Sequence, residues 1–269
     1  MKKKQIYPII FLTILTLVMI IIITPSSSIF GANTDWLSQH VNLADYIRHA
    51  MLESKSLFPD FAFNLGGGQN IYNLSYYGLF RPDVLIGCLI PSVAMKDIII
   101  IYMIINLIAS VDLIYLWLKR KQFNTWLCVV GSILLLSSSL LFQSHRQIMF
   151  VDYMPGLLLA LLGVDRYIEN HKSGLLIGAV VLIIVNSYFF SIAALLVIFT
   201  YYCFEMSYLK QKLTFKQLCL FIKPMLTGIL ICGILLLPTA YVMLENHQSG
   251  TSSLNLMSLL MPRLDFKSI

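Results

Sequence analysis

Asp35 is the residue of this sequence best placed to do chemistry. It stands shortly after the first long apolar run, in Asn33-Thr34-Asp35-Trp36-Leu37-Ser38-Gln39-His40, with an indole, an amide and an imidazole close by. A carboxylate within hydrogen-bond reach of a hydroxyl can take its proton as the oxygen attacks. It can also hold a divalent cation that neutralises a phosphate leaving group. The structural alternative is that Asp35 caps the helix that follows it. Asp152, in Met149-Phe150-Val151-Asp152, is a second acid at the head of an apolar run. Its structural alternative is the favourable meeting of a carboxylate with a helix N-terminus. Asp35 and Asp152 together are the candidate pair for sharing a metal or an acceptor.

Cations that could hold phosphate lie in the connections expected to face outward. His145 and Arg146 occupy a very short loop, and the forked donors of an arginine suit phosphate. Snorkelling to lipid phosphates is the plainer role for Arg146. Lys55 and Arg81 are second-rank phosphate candidates; Gln39 and His40 could contact substrate or orient Asp35. Gly66-Gly67-Gly68 is followed by no Lys-Ser/Thr pair and is not a P-loop. Tyr72, Tyr76 and Tyr77 suit an aromatic belt at an interface better than sugar stacking. Asp112 lies inside an apolar run, where Lys119 two turns on suggests a buried hydrogen bond or ion pair. No Ser-His-Asp spacing, HExxH, nucleotide fingerprint or nucleic-acid stripe appears.

The elements that must position these groups are membrane helices. The chain is 58% hydrophobic and 12% charged, with a mean hydropathy of +0.80, whereas soluble domains carry roughly 25% charged residues. Seven apolar stretches can be drawn, at 6–24, 96–118, 124–142, 151–167, 174–188, 189–204 and 225–243. The fourth to sixth are short for upright crossings. With a cytoplasmic N-terminus, Lys and Arg divide twelve to seven between inner and outer connections, so most of the net charge of +6 reflects the positive-inside bias. Of the five cysteines none forms a CxxC, and neither a disulfide framework nor a zinc site is indicated. The expected architecture is therefore an all-α, multi-pass bundle over 1–269 in the cell membrane, with lipid as its surroundings.

Residues 25–95 form the longest connection. Thr34 to Lys55 reads as an amphipathic helix lying along the interface, with Leu37, Val41, Ala44, Ile47 and Met51 on one side and Asn33 or Thr34 as N-cap. The glycine triplet then abolishes helical preference, and the apolar segment from Arg81-Pro82 to Pro91 is too short to cross and reads as re-entrant or buried. The basic stretch 207–223 is amphipathic and suits an anionic inner leaflet.

Set in order, these pieces resemble the N-terminal part of the YfhO-like bacterial membrane proteins, counted among the multi-span GT-C-type glycosyltransferases. The matching features are Asp35 with Gln39-His40, Lys55-Ser56-Leu57 leading through Asn64-Leu65-Gly66-Gly67-Gly68 to Tyr76-Tyr77, Met149-Phe150-Val151-Asp152, Asn186-Ser187-Tyr188-Phe189-Phe190 and Leu235-Leu236-Leu237-Pro238-Thr239. Members of that family are usually several times longer, so the resemblance leads one to expect a version truncated at its C-terminus, or a remnant. The resemblance implies a polyprenyl-phosphate-linked sugar donor, transfer on the outer face to a cell-envelope polymer such as teichoic acid, and an essential acid in the first outer loop, for which Asp35 is the matching position. It leaves open a divalent cation. The alternative is a non-enzymatic membrane protein, a transporter or accessory subunit, drawing on the intramembrane Asp112.

Overall fold

The computed structural model describes residues 6–24, 35–138 and 147–249. These fold as an all-α polytopic bundle. Its first helix, α1 (Ile6–Ile23), is apolar on every side. Only Leu12 and Thr16 of it are buried, while Ile10, Phe11, Ile14, Ile21 and Ile22 face outward. A helix apolar all round with so little buried face is a membrane span. Leu12 joins Val111, Tyr115, Cys128, Val129 and Leu136 in a small core shared with α4 (Met95–Arg120) and α5 (Thr125–Leu136). Helix α4 has 26 residues, or about 39 Å at 1.5 Å per residue, enough to cross with tilt.

The main core gathers α4, the short α6 (Met149–Asp152), α7 (Met154–Asn170), α8 (Gly174–Asn186), α9 (Tyr188–Tyr208) and α10 (Phe215–Ile231). Two glycines allow the close approach. A Cβ on Gly163 of α7 would stand 2.9 Å from the Leu176 Cα of α8, and one on Gly228 of α10 would stand 2.7 Å from a Val180 methyl. Small residues at such contacts let backbones approach where there is no hydrophobic drive between helices.

Three helices are long and apolar enough to cross alone, α1, α4 and α9, and α10 with α11 (Gly233–Ser249) makes a fourth as a pair bent by 73°. Helices α5 and α8 are apolar but shorter. The bend lies at Cys232-Gly233, and Pro238 follows one turn later with no N–H for the ladder. The basic stretch 207–223, expected as one amphipathic segment on the inner leaflet, is divided. Helix α9 ends at Tyr208, and a capping box of Thr214 and Gln217 starts α10, which continues through Lys223-Pro224 to the bend.

The bundle has two distinct ends. At the basic end, Lys121 bridges Asp165 at 2.9 Å and Glu205 at 2.8 Å, Arg120 pairs with Glu169, and Tyr201 donates to Asp165 at 2.8 Å. This network ties α4, α7 and α9. At the opposite, loop end lies everything between 35 and 94. A six-residue π-helical turn, Trp36–Val41, runs into α2 (Asn42–Ser54). A two-residue hairpin follows, pairing β1 (Phe61–Ala62) antiparallel to β2 (Gln69–Asn70). Next come a 3-10 segment, Ile71–Tyr77, and α3 (Pro82–Leu89). The amphipathic helix expected from 34 to 55 is thus present with a widened first turn, and Asn33 and Thr34, its proposed caps, lie outside the described residues. Helix α3 is the apolar segment that is too short to cross; it packs on α2 and α4 with Asp83, Val84 and Gly87 buried.

Asp112 on α4 accepts a hydrogen bond from Thr13 of α1 at 3.1 Å. Lys119 is turned elsewhere, to the Phe123 carbonyl and the Thr125 hydroxyl. The expected buried bond exists, but its partner is the neighbouring span.

Candidate functional site

The π-helical turn carries three of the candidate residues. Asp35 sits at its N-cap position, half-buried, yet its carboxylate makes no capping hydrogen bond. It instead accepts from the side-chain amide of Gln147 at 2.9 Å. Gln147 stands just ahead of α6, so this bond brings Asp35 to the segment that carries Asp152. One turn on, Gln39 accepts from the Tyr77 hydroxyl at 3.1 Å. His40 is 2% exposed, its Nδ1 has no hydrogen-bond partner, and its ring lies 6.1 Å from that of Tyr77. Burial, then the charge of Arg81, lower its pKa to about 4 against the opposing pull of Asp35. His40 is therefore neutral at pH 7. A π turn widens the helix by one residue and is frequent at functional sites.

Behind this turn lies a buried polar cluster. Arg81, 1% exposed, donates through Nε and Nη2 to the two oxygens of fully buried Asp83 at 2.6 and 2.7 Å. The Val84 N–H also donates to Asp83, at 2.9 Å. Burial works against the charge on Arg81, but Asp83, with Asp152 and Tyr102 adding, outweighs it and holds the guanidinium above its ordinary range. Gly78 makes room for this group: it adopts φ of +118°, and a Cβ there would stand 3.2 Å from Arg81 Cζ. Asp152, with no exposed surface, accepts from Asn106 Nδ2 of α4 at 3.0 Å through Oδ1, while Oδ2 has no hydrogen-bond partner. Tyr102, one turn before Asn106, donates to Asn186 at the end of α8 at 2.7 Å. The i, i+4 spacing sets Tyr102 and Asn106 on one face of α4.

The structure thus brings Asp35, Gln39, His40, Arg81 and Asp152 to one end of the bundle. Arg81 is engaged by Asp83, which occupies the donors a phosphate would need. Lys55 stands apart. It is exposed at the left-handed C-cap of α2, and a 13-residue helix separates it from the π turn by about 20 Å. His145 and Arg146 lie outside the described residues. Asp35 and Asp152 have separate amide partners, Gln147 and Asn106. Among the described residues no group of three or more His, Cys, Asp or Glu could hold a metal ion.

A groove of about 700 Å3 runs along the far face of α2. Asn42, Asp45, Tyr46, His49 and Glu53 line one wall and Asp60, Phe61 and Phe63 of the hairpin segment the other. It begins at Asn42, directly after the π turn. Asp83, Tyr102, Asn106 and Gln147 are the site residues that the sequence did not single out, and Asn186 appeared only as part of a motif of the resemblance. A lone amide within an apolar span was the available signal for Asn106, and Arg-Pro-Asp opening a short helix was the signal for Asp83.

This fold and its polar end define a polytopic helical membrane protein with a buried ionic cluster at one face. The chain belongs to the YfhO family of bacterial membrane proteins, whose model matches residues 9–266. No curated protein and no solved structure matches it.

Proposed function

We propose that this chain is a membrane glycosyltransferase that moves a sugar from a polyprenyl-phosphate donor to a cell-envelope polymer, such as teichoic acid, on the outer face of the cell membrane. The N-terminus and the basic end are then cytoplasmic. The single observation that carries this reading is the placement of Asp35: half-buried at the loop end, free of a capping role, and backed by neutral His40. An acceptor hydroxyl gives its proton to Asp35 as its oxygen bonds to the anomeric carbon; the bond from that carbon to phosphate breaks, and polyprenyl phosphate leaves. Asp152 acts as a positioning acid, held by Asn106 and by the charge of Arg81. The groove along α2 offers the acceptor a way in from water.

The test is Asp35→Asn in a cell that depends on this protein. Removing a general base slows the reaction by about 10²- to 10⁴-fold, so polymer glycosylation should fall to background at normal protein levels. Unchanged glycosylation would remove the assignment.

A further inference from the structure

At the basic end, opposite the site described above, a cavity of about 850 Å3 opens between the end of α4 and the turn joining α7 to α8. Arg120, Arg166, Glu169, His171, Lys172 and Gly174 line it. Arg120 and Glu169 neutralise one another as an ion pair. Arg166 and Lys172 are exposed, and among the described residues neither has an ion pair. The lining therefore carries an uncompensated positive charge. The turn is firmly built: His171 takes a left-handed φ of +55° and donates its N–H to the Tyr167 carbonyl at 2.8 Å. Its ring meets that of Tyr167 edge-on at 5.9 Å. At Gly174 a Cβ would meet nothing within 4 Å, so the cavity reaches the first turn of α8.

This basic cavity lies where the apolar helix α8 begins, which is the depth of lipid headgroups for a helix that enters a membrane. We propose that it binds the phosphodiester headgroup of an anionic membrane lipid, with Arg166 as the forked donor to phosphate oxygens and Lys172 as the point charge. Basic pockets between helices at a membrane face bind acidic headgroups in this way. The site is independent of sugar transfer and holds whether or not that reading stands.

The probe is fluorescent phosphatidylglycerol, compared with phosphatidylcholine, titrated onto the purified full chain in a neutral detergent. Wild-type protein should prefer phosphatidylglycerol. The double variant R166Q/K172Q should weaken that binding about thirtyfold, the equivalent of about 1 kcal/mol for each of two basic side chains. R166K/K172R should retain most of it, and K212Q/K216Q, spanning the end of the connection between α9 and α10 and the first turn of α10, should leave it unchanged. Thermal melting checks that each variant is folded. Equal losses in R166Q/K172Q and K212Q/K216Q would make the effect diffuse charge and overturn the site, as would no loss in R166Q/K172Q. Displacement of the lipid by inorganic phosphate would overturn the lipid as its ligand.

Discussion

Removing Asp83 should expose how tightly the loop end is tied together. In Asp83→Ala, Arg81 stays 1% exposed but loses both short hydrogen bonds, while the Val84 N–H keeps its bond to the Arg81 carbonyl at 3.0 Å. Breaking a buried pair from one side costs about 3 to 5 kcal/mol, because the remaining charge is left desolvated. Relief is close at hand. Asp152 already acts electrostatically on Arg81 and has one oxygen without a partner, so the guanidinium can turn toward it. The expected loss is thus near the lower bound, about 3 kcal/mol. Asp152→Asn removes that refuge. The double variant should then be less stable than the two single losses predict, by about 1 kcal/mol or more. Replacing the pair together, as R81M/D83L, should cost less than D83A alone, since no buried charge is orphaned. Unfolding free energies in detergent, followed by tryptophan fluorescence, measure all four. A loss below about 1 kcal/mol in D83A, or strict additivity with D152N, would refute the buried-cluster reasoning.

Two further outcomes follow from the same structure. His40 has a pKa near 4 in the fold, against an ordinary 6.5, so the unfolded chain binds more protons between those values. The stability that neutral His40 gives is fully present above about pH 6.5 and is lost as pH falls toward 4, by about 3 kcal/mol. His40→Gln should flatten the melting curve against pH across that window; an unchanged slope would exclude His40 as its source. Gly163→Ala drives a Cβ to 2.9 Å from the Leu176 backbone and should cost about 1 to 3 kcal/mol. Gly178→Ala, where nothing lies within 4 Å, should be neutral or stabilising by about 0.5 to 1 kcal/mol through helix propensity. Equal melting points for the two variants would count against the close α7–α8 contact.

The elements most legible in the sequence were those that single apolar runs define. The runs at 6–24, 96–118 and 189–204 became α1, α4 and α9 with ends shifted by a few residues, because a helix free of interruption needs only hydropathy to declare it. Residues 207–223 were harder. Lysines at 210, 212, 216 and 223 depress the hydropathy, yet the capping box at Thr214 begins a helix there that does not stop at Pro224. The segment from Arg81 to Pro91 reads in sequence as too short to cross, and packing on α2 and α4 makes it α3. Asp35 was visible from its position after the first span, but its partner Gln147 lies 112 residues away. The same holds for Asp112, whose nearest basic residue in sequence pointed to Lys119 while the fold supplied Thr13, 99 residues distant.

What the sequence determined by itself was the solvent: apolar runs longer than a core helix needs, and few charges within them. Those are one-dimensional quantities, because a bilayer sorts segments by local composition and length. What the tertiary structure alone decided was which polar groups meet. Asn106 reaches Asp152 across 46 residues, Arg81 turns inward to Asp83, and His40 is closed off from water. A hydrogen bond depends on distances of about 3 Å between side chains carried by separate helices, and only the packing of those helices sets them.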